Sequence, residues 1–321
     1  MDVERLRLLR ELADRGTVSA AAQAMSLTPS AVSQQLKILQ REAGVPLLEP
    51  DGRRLRLTDA GRILVTRTDE ILAALDRAQA DMDSYRSTPS GTVRVGIFGS
   101  GAAVLLAGLI TRAAARGVEV LGREFDQSAA VPALLADFDV VVVHHDERDP
   151  IDWSPRLDAT FLLREPLEVL LPPRHRLAAR KRVPLRELAH EPWIGVGWGL
   201  VFDDVLRSLA TISGVTPRIV QRVNDLRVVE ELVLAGVGIA LMPRYSPTVR
   251  GLVRKPLGGV HAARRIEAVT RTGAATRPAI AVAIDILKNV AQDTVEQRRT
   301  AVVRQPPRRH PARLPPPPHP L

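Results

Sequence analysis

No cysteine occurs anywhere in the 321 residues. That absence excludes disulfides, thiolate metal sites, cysteine nucleophiles and thiol redox sensing. Aromatic residues make up only 3% of the chain, which argues against a single-strand nucleic-acid binder, since such proteins stack bases on exposed rings. Long apolar runs are also missing. Stretches such as Val140–Val143 and Val237–Met242 fall far short of the roughly 20 residues needed to span a bilayer. The N-terminus carries Asp2 and Glu4 and no apolar signal core, so the expectation is a soluble, cytoplasmic protein with no membrane partner. What is present is 45% hydrophobic residues, enough for two or three ordinary cores.

The formal net charge is +9, but it is unevenly placed. Residues 1–86 hold 13 basic and 13 acidic residues, whereas 297–321 hold six arginines and no acid. In that tail Arg308, Arg309 and Arg313 are mixed with Pro306, Pro307, Pro311 and Pro315 to Pro318. Such a segment has nothing to bury and is expected to be disordered or polyproline-like. Total charge is therefore weak evidence for a nucleic-acid partner.

Pattern near the N-terminus says more. Val3, Leu6, Leu9 and Leu12 recur at helical spacing before Gly16, a helix-ending residue. Ser19 reads as the cap of a short helix, Ala20–Met25, and Thr28 as the cap of a third with Pro29 at its first position. Val32, Leu36 and Leu39 share one face of that third helix, while Ser30, Ser33, Gln34 and Lys37 occupy the other. Two short helices around a tight turn, the second presenting hydroxyls, amides and an amine, form a helix-turn-helix whose polar face suits base edges and phosphates in a major groove. Asp51-Gly52 is a hairpin signal, and Leu55 and Leu57 flank Arg56. This reads as a two-stranded wing whose Arg53, Arg54 and Arg56 contact phosphate, although a solvated basic loop carries the same residues.

Three segments in order, Gly16-Thr17-Val18-Ser19-Ala20-Ala21-Ala22, Leu27 to Lys37 (LTPSAVSQQLK) and Leu57-Thr58-Asp59-Ala60-Gly61, resemble the winged helix-turn-helix of LysR-type transcriptional regulators. Two details depart from that pattern. Leu47-Leu48-Glu49-Pro50 stands where the family usually has Leu-Phe-x-Arg, and Gln40 where it usually has an acid. From Thr58, a plausible cap, the chain runs to about Arg86 without proline, and Leu64, Thr68, Ile71, Leu75, Ala78 and Met82 alternate by four and three as a seam for a partner helix. The alternative is a helix lying on its own domain. The resemblance implies pairing through this helix, and a dimer or tetramer.

From Gly91 strands alternate with helices. Thr92–Phe98, Val118–Phe125 and Val140–Val143 read as strands and Ala102–Ala115 and Pro132–Ala136 as helices, giving an open α/β unit with a parallel sheet. A second unit follows through Glu168–Leu171, Trp193–Val196, a helix over Phe202–Ile212, Ile219–Val223, a helix over Leu226–Ala235 and a strand over Val237–Met242. The chain then returns through Ile266–Thr270 to a helix from Pro278 to about Val290. Two such lobes resemble a periplasmic-binding-protein fold, as the family's effector domain does. The expected units are thus 1–58, 59–86, 91–296 and a tail over 297–321.

In such folds a ligand sits between lobes, at carboxyl ends of strands and helix N-termini. Gly99-Ser100-Gly101, Ser128 and Gly197-Trp198 occupy these places and are the candidate effector contacts. His144-His145-Asp146 ends a strand; without a second ligand cluster it reads as a solvated loop or cleft edge rather than a metal site. No cofactor is implied. The rival reading is a dinucleotide- or solute-binding α/β protein, an enzyme or receptor. However, Val104 replaces the third glycine of the dinucleotide fingerprint, no His-Glu-x-x-His or Gly-x-Ser-x-Gly occurs, and a receptor has no use for residues 1–86. The expected function is a non-enzymatic regulator that binds double-stranded DNA and responds to a small molecule, and the resemblance adds RNA polymerase as a further partner.

Overall fold

Each of the first three helices begins at a side chain that accepts a free backbone N–H, and the first and third end at a left-handed glycine. A computed structural model describes residues 1–52, 54–84, 91–125, 130–188, 190–197, 216–246, 251–259 and 262–303, with 202, 203, 206, 207, 210, 211 and 214. Helix α1 (Val3–Arg15) is capped by Asp2 and closed by Gly16 at φ 75°, a left-handed conformation glycine adopts without strain. Helix α2 (Val18–Ala24) is capped by Thr17, whose hydroxyl accepts the Ala20 N–H at 3.2 Å. The cap is therefore two residues earlier than the Ser19 expected from sequence, because it is the Thr17 hydroxyl that takes a free N–H while Ser19 already lies within the helix. Helix α3 (Pro29–Ala43) starts at Thr28, whose hydroxyl accepts from Ala31, and ends at Gly44. Leu6, Leu9, Leu12, Val32, Leu36, Leu39, Leu47 and Val65 close the core of this unit.

The wing pairs β1 (Leu48–Asp51) with β2 (Arg54–Leu57) across Gly52. Its base is held by Gln40, whose side-chain carbonyl accepts the Leu47 and Leu48 N–H groups at 2.9 and 3.0 Å. That contact explains the amide at a position where the resemblance leads one to expect an acid, since either side chain supplies the acceptor. Helix α4 (Asp59–Ser84) follows, with the Gly61 N–H donating to the Thr58 hydroxyl.

One ten-stranded sheet runs through both α/β lobes in the order β4-β3-β5-β12-β6-β10-β8-β9, with β11 against β6 and β7. The first lobe holds β3 (Gly91–Ile97), α5 (Gly99–Ala114), β4 (Val118–Glu124), the single turn α6 (Val131–Leu134) and β5 (Val140–Asp146). The long strand β6 (Leu157–Leu171) leaves it for the second lobe, which contains β7 (Val183–Pro184), β8 (Pro192–Gly195), β9 (Arg218–Arg222), α7 (Leu226–Leu234), β10 (Ile239–Pro243) and β11 (Val253–Gly258). Strand β12 (Ala263–Arg271) returns, and α8 (Pro278–Val303) packs on the first lobe through Ile280, Ala283, Ile286, Leu287 and Val290.

Three expectations are corrected. The first lobe's sheet is mixed, not wholly parallel: β3 is parallel to β4 and β5, but β12 is antiparallel to both β5 and β6 because it re-enters from the opposite side. Helix α8 continues well past Val290 to Val303, so the expected tail does not begin at 297. The physical reason is that no glycine or proline interrupts the chain from Ala279 to Gln305, and Arg298 is anchored by donating to the Tyr245 carbonyl at 3.0 Å. Finally, His144-His145-Asp146 is no solvated loop; all three lie buried at the end of β5.

Candidate DNA interface and effector cleft

On α3 the apolar face is used up by Val32, Leu36 and Leu39, which leaves Ser30, Gln34 and Lys37 exposed at spacings of four and three residues. Thr28 and Pro29 are exposed at its start, and the Thr28 and Ser30 hydroxyls lie 3.0 Å apart. Ser33 is half-buried and its hydroxyl donates to the Pro29 carbonyl at 2.9 Å, so only its lone pairs face outward. An open groove of about 710 Å³ beside this helix is lined by Gln34, Lys37, Arg41 and Val45 among others. Arg41, one turn beyond Lys37 on the same exposed face, is a residue that the sequence pattern did not single out, although its spacing from Gln34 and Lys37 is visible there. On the wing, Arg54 and Arg56 are exposed and Arg56 pairs with Glu49 at 2.6 Å. Arg53 lies outside the described residues.

The proposed seam on α4 divides in two. Leu64 is half-buried against the chain's own N-terminal core, and Thr68 is fully buried with its hydroxyl bonded to the Leu64 carbonyl. Leu64 is thus withdrawn from a partner surface by its position in the first two turns, which roof the helix-turn-helix. Ile71, Leu75, Ala78 and Met82 are exposed, Met82 at 58%.

At the start of α5, Gly99 and Gly101 make space for side chains. A Cβ on Gly101 would lie 2.6 Å from the Phe98 ring, and one on Gly99 would lie 2.5 Å from the Glu124 carboxylate. The start of α5 therefore already faces a carboxylate of its own chain. Phe98 offers no side-chain cap, so the leading N–H groups depend on other acceptors. Ser100 is half-buried in that turn. In the second lobe, the Gly197 N–H is taken by Asn224 Oδ1 at 2.7 Å. Ser128 and Trp198 lie outside the described residues.

The chemistry that does converge sits on the two strands joining the lobes. Arg264 of β12 lies in register with Asp146 of β5 on one side and Glu165 of β6 on the other. Its Nε and Nη2 donate to Glu165 Oε2 at 2.9 and 2.7 Å, and the other carboxylate oxygen accepts the Tyr245 N–H at 2.7 Å. One ring from each lobe covers the guanidinium, Phe98 at 5.0 Å and Phe202 at 5.2 Å. His144 packs edge-on against Phe98 at 4.2 Å between centroids. Arg264 Nη1 and His144 Nδ1 are buried without hydrogen-bond partners among the described residues. Burial, then the positive charge of Arg264, holds the His144 imidazole well below its ordinary pKa, so it is neutral at pH 7. Neither Arg264 nor Glu165 was picked out from sequence. In a linear chain, each looks like one more surface charge. Among the described residues no group of three or more His, Asp or Glu could hold a metal ion, and no helix is long and apolar enough to cross a membrane.

Residues 86–292 match the family model described as the LysR substrate binding domain, and residues 3–62 match the bacterial regulatory helix-turn-helix protein model of the lysR family. The chain belongs to the LysR family. Among curated relatives it is 29% identical over 263 residues to the transcriptional dual regulator GltC of Bacillus subtilis, covering 80% of this chain and 86% of that protein. It is 28% identical over 252 residues to the HTH-type regulator YnfL of Escherichia coli, covering 76% and 82%. A full-length OxyR variant from Pseudomonas aeruginosa shares the fold at 20% identity with a TM-score of 0.62, covering 91% of this chain and 97% of that one. CbnR complexed with its target DNA does so at a TM-score of 0.53 and 20% identity, covering 90% and 100%. This LysR-family chain is accordingly a DNA-binding transcriptional regulator with an effector-binding domain, not an enzyme. Regulators of this kind bind DNA and small-molecule effectors and form oligomers.

Proposed function

We propose that this regulator reads DNA through the outer face of α3, with Gln34 and the Ser33 lone pairs on base edges and Thr28, Pro29, Ser30 and Lys37 positioning the helix. Arg53, Arg54 and Arg56 of the wing hold phosphate. The observation that carries this reading is the solvent-exposed line of Ser30, Gln34, Lys37 and Arg41 above a fully buried apolar face. Ile71, Leu75, Ala78 and Met82 form the seam for a second copy, in a cytoplasmic dimer or tetramer that contacts RNA polymerase. A unit ending at residue 58, a connecting helix and an effector unit from residue 91 divide the chain.

The effector enters between the lobes, with Gly99, Ser100, Gly101, Ser128, Gly197 and Trp198 as its contacts and Arg264 with His144 beneath it. The unmatched Arg264 Nη1 supports an effector that brings an acceptor atom, carboxylate or carbonyl, to that guanidinium. It acts only if it binds open and closed lobes with different affinity.

Footprinting of DNA upstream of the gene, with and without candidate metabolites, locates the half-sites and tests the whole reading. Gln34→Ala is expected to weaken binding to the protected fragment by about 1–3 kcal/mol while leaving random duplex binding nearly unchanged. Equal losses on both would remove Gln34 from base reading. Ser100→Ala is expected to blunt the effector response several-fold at unchanged DNA affinity, measured by fluorescence anisotropy; a collapse of DNA binding would make it a packing residue.

A further inference from the structure

Helices α1 and α4 do not merely precede the first lobe; they are bolted to it by charge. Asp14 of α1 and Asp69 of α4, with side chains 1% and 4% exposed, point at Arg156 and Arg271. Arg156 reaches Asp69 at 2.5 Å and Asp14 at 3.4 Å, and Arg271 reaches Asp14 at 2.6 Å and Asp69 at 3.6 Å. Each arginine thus spans both acids, and each acid ties a different helix of the N-terminal half. Arg15 extends the set by pairing with Asp137 at 2.8 Å and with Glu11 at 2.8 Å. Arg10 lies among them, its guanidinium lowered below the ordinary range first by burial and then by the charge of Arg271.

Two further facts distinguish this contact from ordinary packing. The apolar cores of the helix-turn-helix and of the first lobe are separate clusters, and ion pairs run between the two units through Arg15, Asp14 and Asp69. Moreover, Arg156 and Arg271 sit at the neighbouring ends of β6 and β12, joined by the Thr272 N–H donating to the Arg156 carbonyl at 2.9 Å. Those are the same strands that carry the buried Glu165–Arg264 pair between the lobes. Buried ion pairs add little net stability but penalise every alternative arrangement, which suits an orienting role.

We propose that Asp14, Asp69, Arg156 and Arg271 form a latch that fixes the attitude of the recognition helix on its own effector domain, so that two copies present their helices at one half-site spacing. This goes beyond the assignment of contacts but rests on the reading that α3 enters the groove. In the latched state α3 stays exposed, so the latch positions the DNA-binding face and does not mask it. An opened latch lets each recognition helix reorient, which penalises binding that needs two helices at once and spares binding that needs one.

The test uses the full chain and two duplexes, the footprinted fragment and the same fragment with one half-site scrambled. Asp14→Asn/Asp69→Asn, checked by circular dichroism for intact folding, is expected to bind the paired fragment at least tenfold more weakly and the single half-site within twofold of wild type. Losses that are equal on both fragments, or absent on both, overturn the latch. Wild type that ignores both fragments overturns the α3 reading instead. A second arm uses the absence of native cysteine. A Cβ on Gly273 would lie 3.2 Å from the Ala73 Cβ, close enough for a disulfide at the cost of strain in the left-handed Gly273 backbone, φ 79°. Oxidised Ala73→Cys/Gly273→Cys is expected to keep the paired-site affinity of its reduced form. A tenfold fall on oxidation would mean that the docked arrangement is not the one that binds DNA.

Discussion

Arg264→Met lowers the stability of the effector domain by about 3–5 kcal/mol, the range for removing one partner of a buried ion pair. Glu165 is the reason. With Arg264 gone it keeps a single donor, the Tyr245 N–H, and its other oxygen is left charged in a site where the residue is 1% exposed. The loss exceeds the roughly 1 kcal/mol expected from packing alone when one long side chain of similar volume replaces another. A second change separates the two terms. Arg264→Met/Glu165→Gln removes the stranded charge, and is expected to recover most of the loss, ending within about 1–2 kcal/mol of wild type. Arg264→Lys falls between, since an ammonium keeps the charge but not the two-pronged contact. Urea unfolding followed by tryptophan fluorescence reads all three, with Trp193 buried in the second lobe as reporter. If Arg264→Met loses less than about 1 kcal/mol, or the double variant is worse than the single one, the ion pair is not what holds this junction. Because Phe98 and Phe202 come from opposite lobes to cover the same guanidinium, the variants also change how the lobes meet.

How much of this was legible before the structure depends on the range of the interaction. Gly16, Thr28, Pro29 and the Asp51-Gly52 hairpin were readable because each acts within four residues of itself, and cap and turn chemistry is local. The alternation of strands and helices, and hence two lobes, followed from periodicity. The buried Arg264–Glu165 pair did not. Glu165 and Arg264 are 99 residues apart in sequence, and nothing local distinguishes a guanidinium that will be buried between two rings from one that will face water. The same holds for Asp14 and Arg271. Gly101 was legible as special, but not that its missing side chain admits the Phe98 ring, a contact no helix-start pattern reveals. Ser19 lost the cap to Thr17 by a matter of two residues, the usual slack of element ends. Strand β12 was expected as the returning strand, but its antiparallel direction was not, because direction in a sheet is set by where the chain returns from.

Gly61→Ala presents two local rules with opposite signs. Alanine is a better helix former than glycine by about 1 kcal/mol, so on propensity alone the change in the first turn of α4 stabilises the protein. Packing says otherwise. A Cβ on Gly61 would lie 2.2 Å from the Leu47 carbonyl oxygen, and that oxygen cannot step aside freely because it accepts the Thr58 N–H at 3.0 Å. The Leu47 N–H is in turn tied to Gln40, and the Leu47 side chain is 2% exposed in the core. Backbone must move against backbone, so α4 and the base of the wing separate. Overpacking of this kind costs about 1–3 kcal/mol and often more, which outweighs the propensity gain. The expected result is a melting temperature for the N-terminal unit lower by roughly 5–10 °C. DNA affinity falls about tenfold, and it falls equally on specific and random duplex, because a displaced wing forfeits its hold on phosphate rather than on bases. The slope of affinity against salt shrinks by about one for each phosphate that the wing no longer reaches. Should Gly61→Ala instead melt higher with an unchanged salt slope, the close approach of α4 to the wing is not what orients Arg54 and Arg56, and the wing owes its position to Gln40 alone.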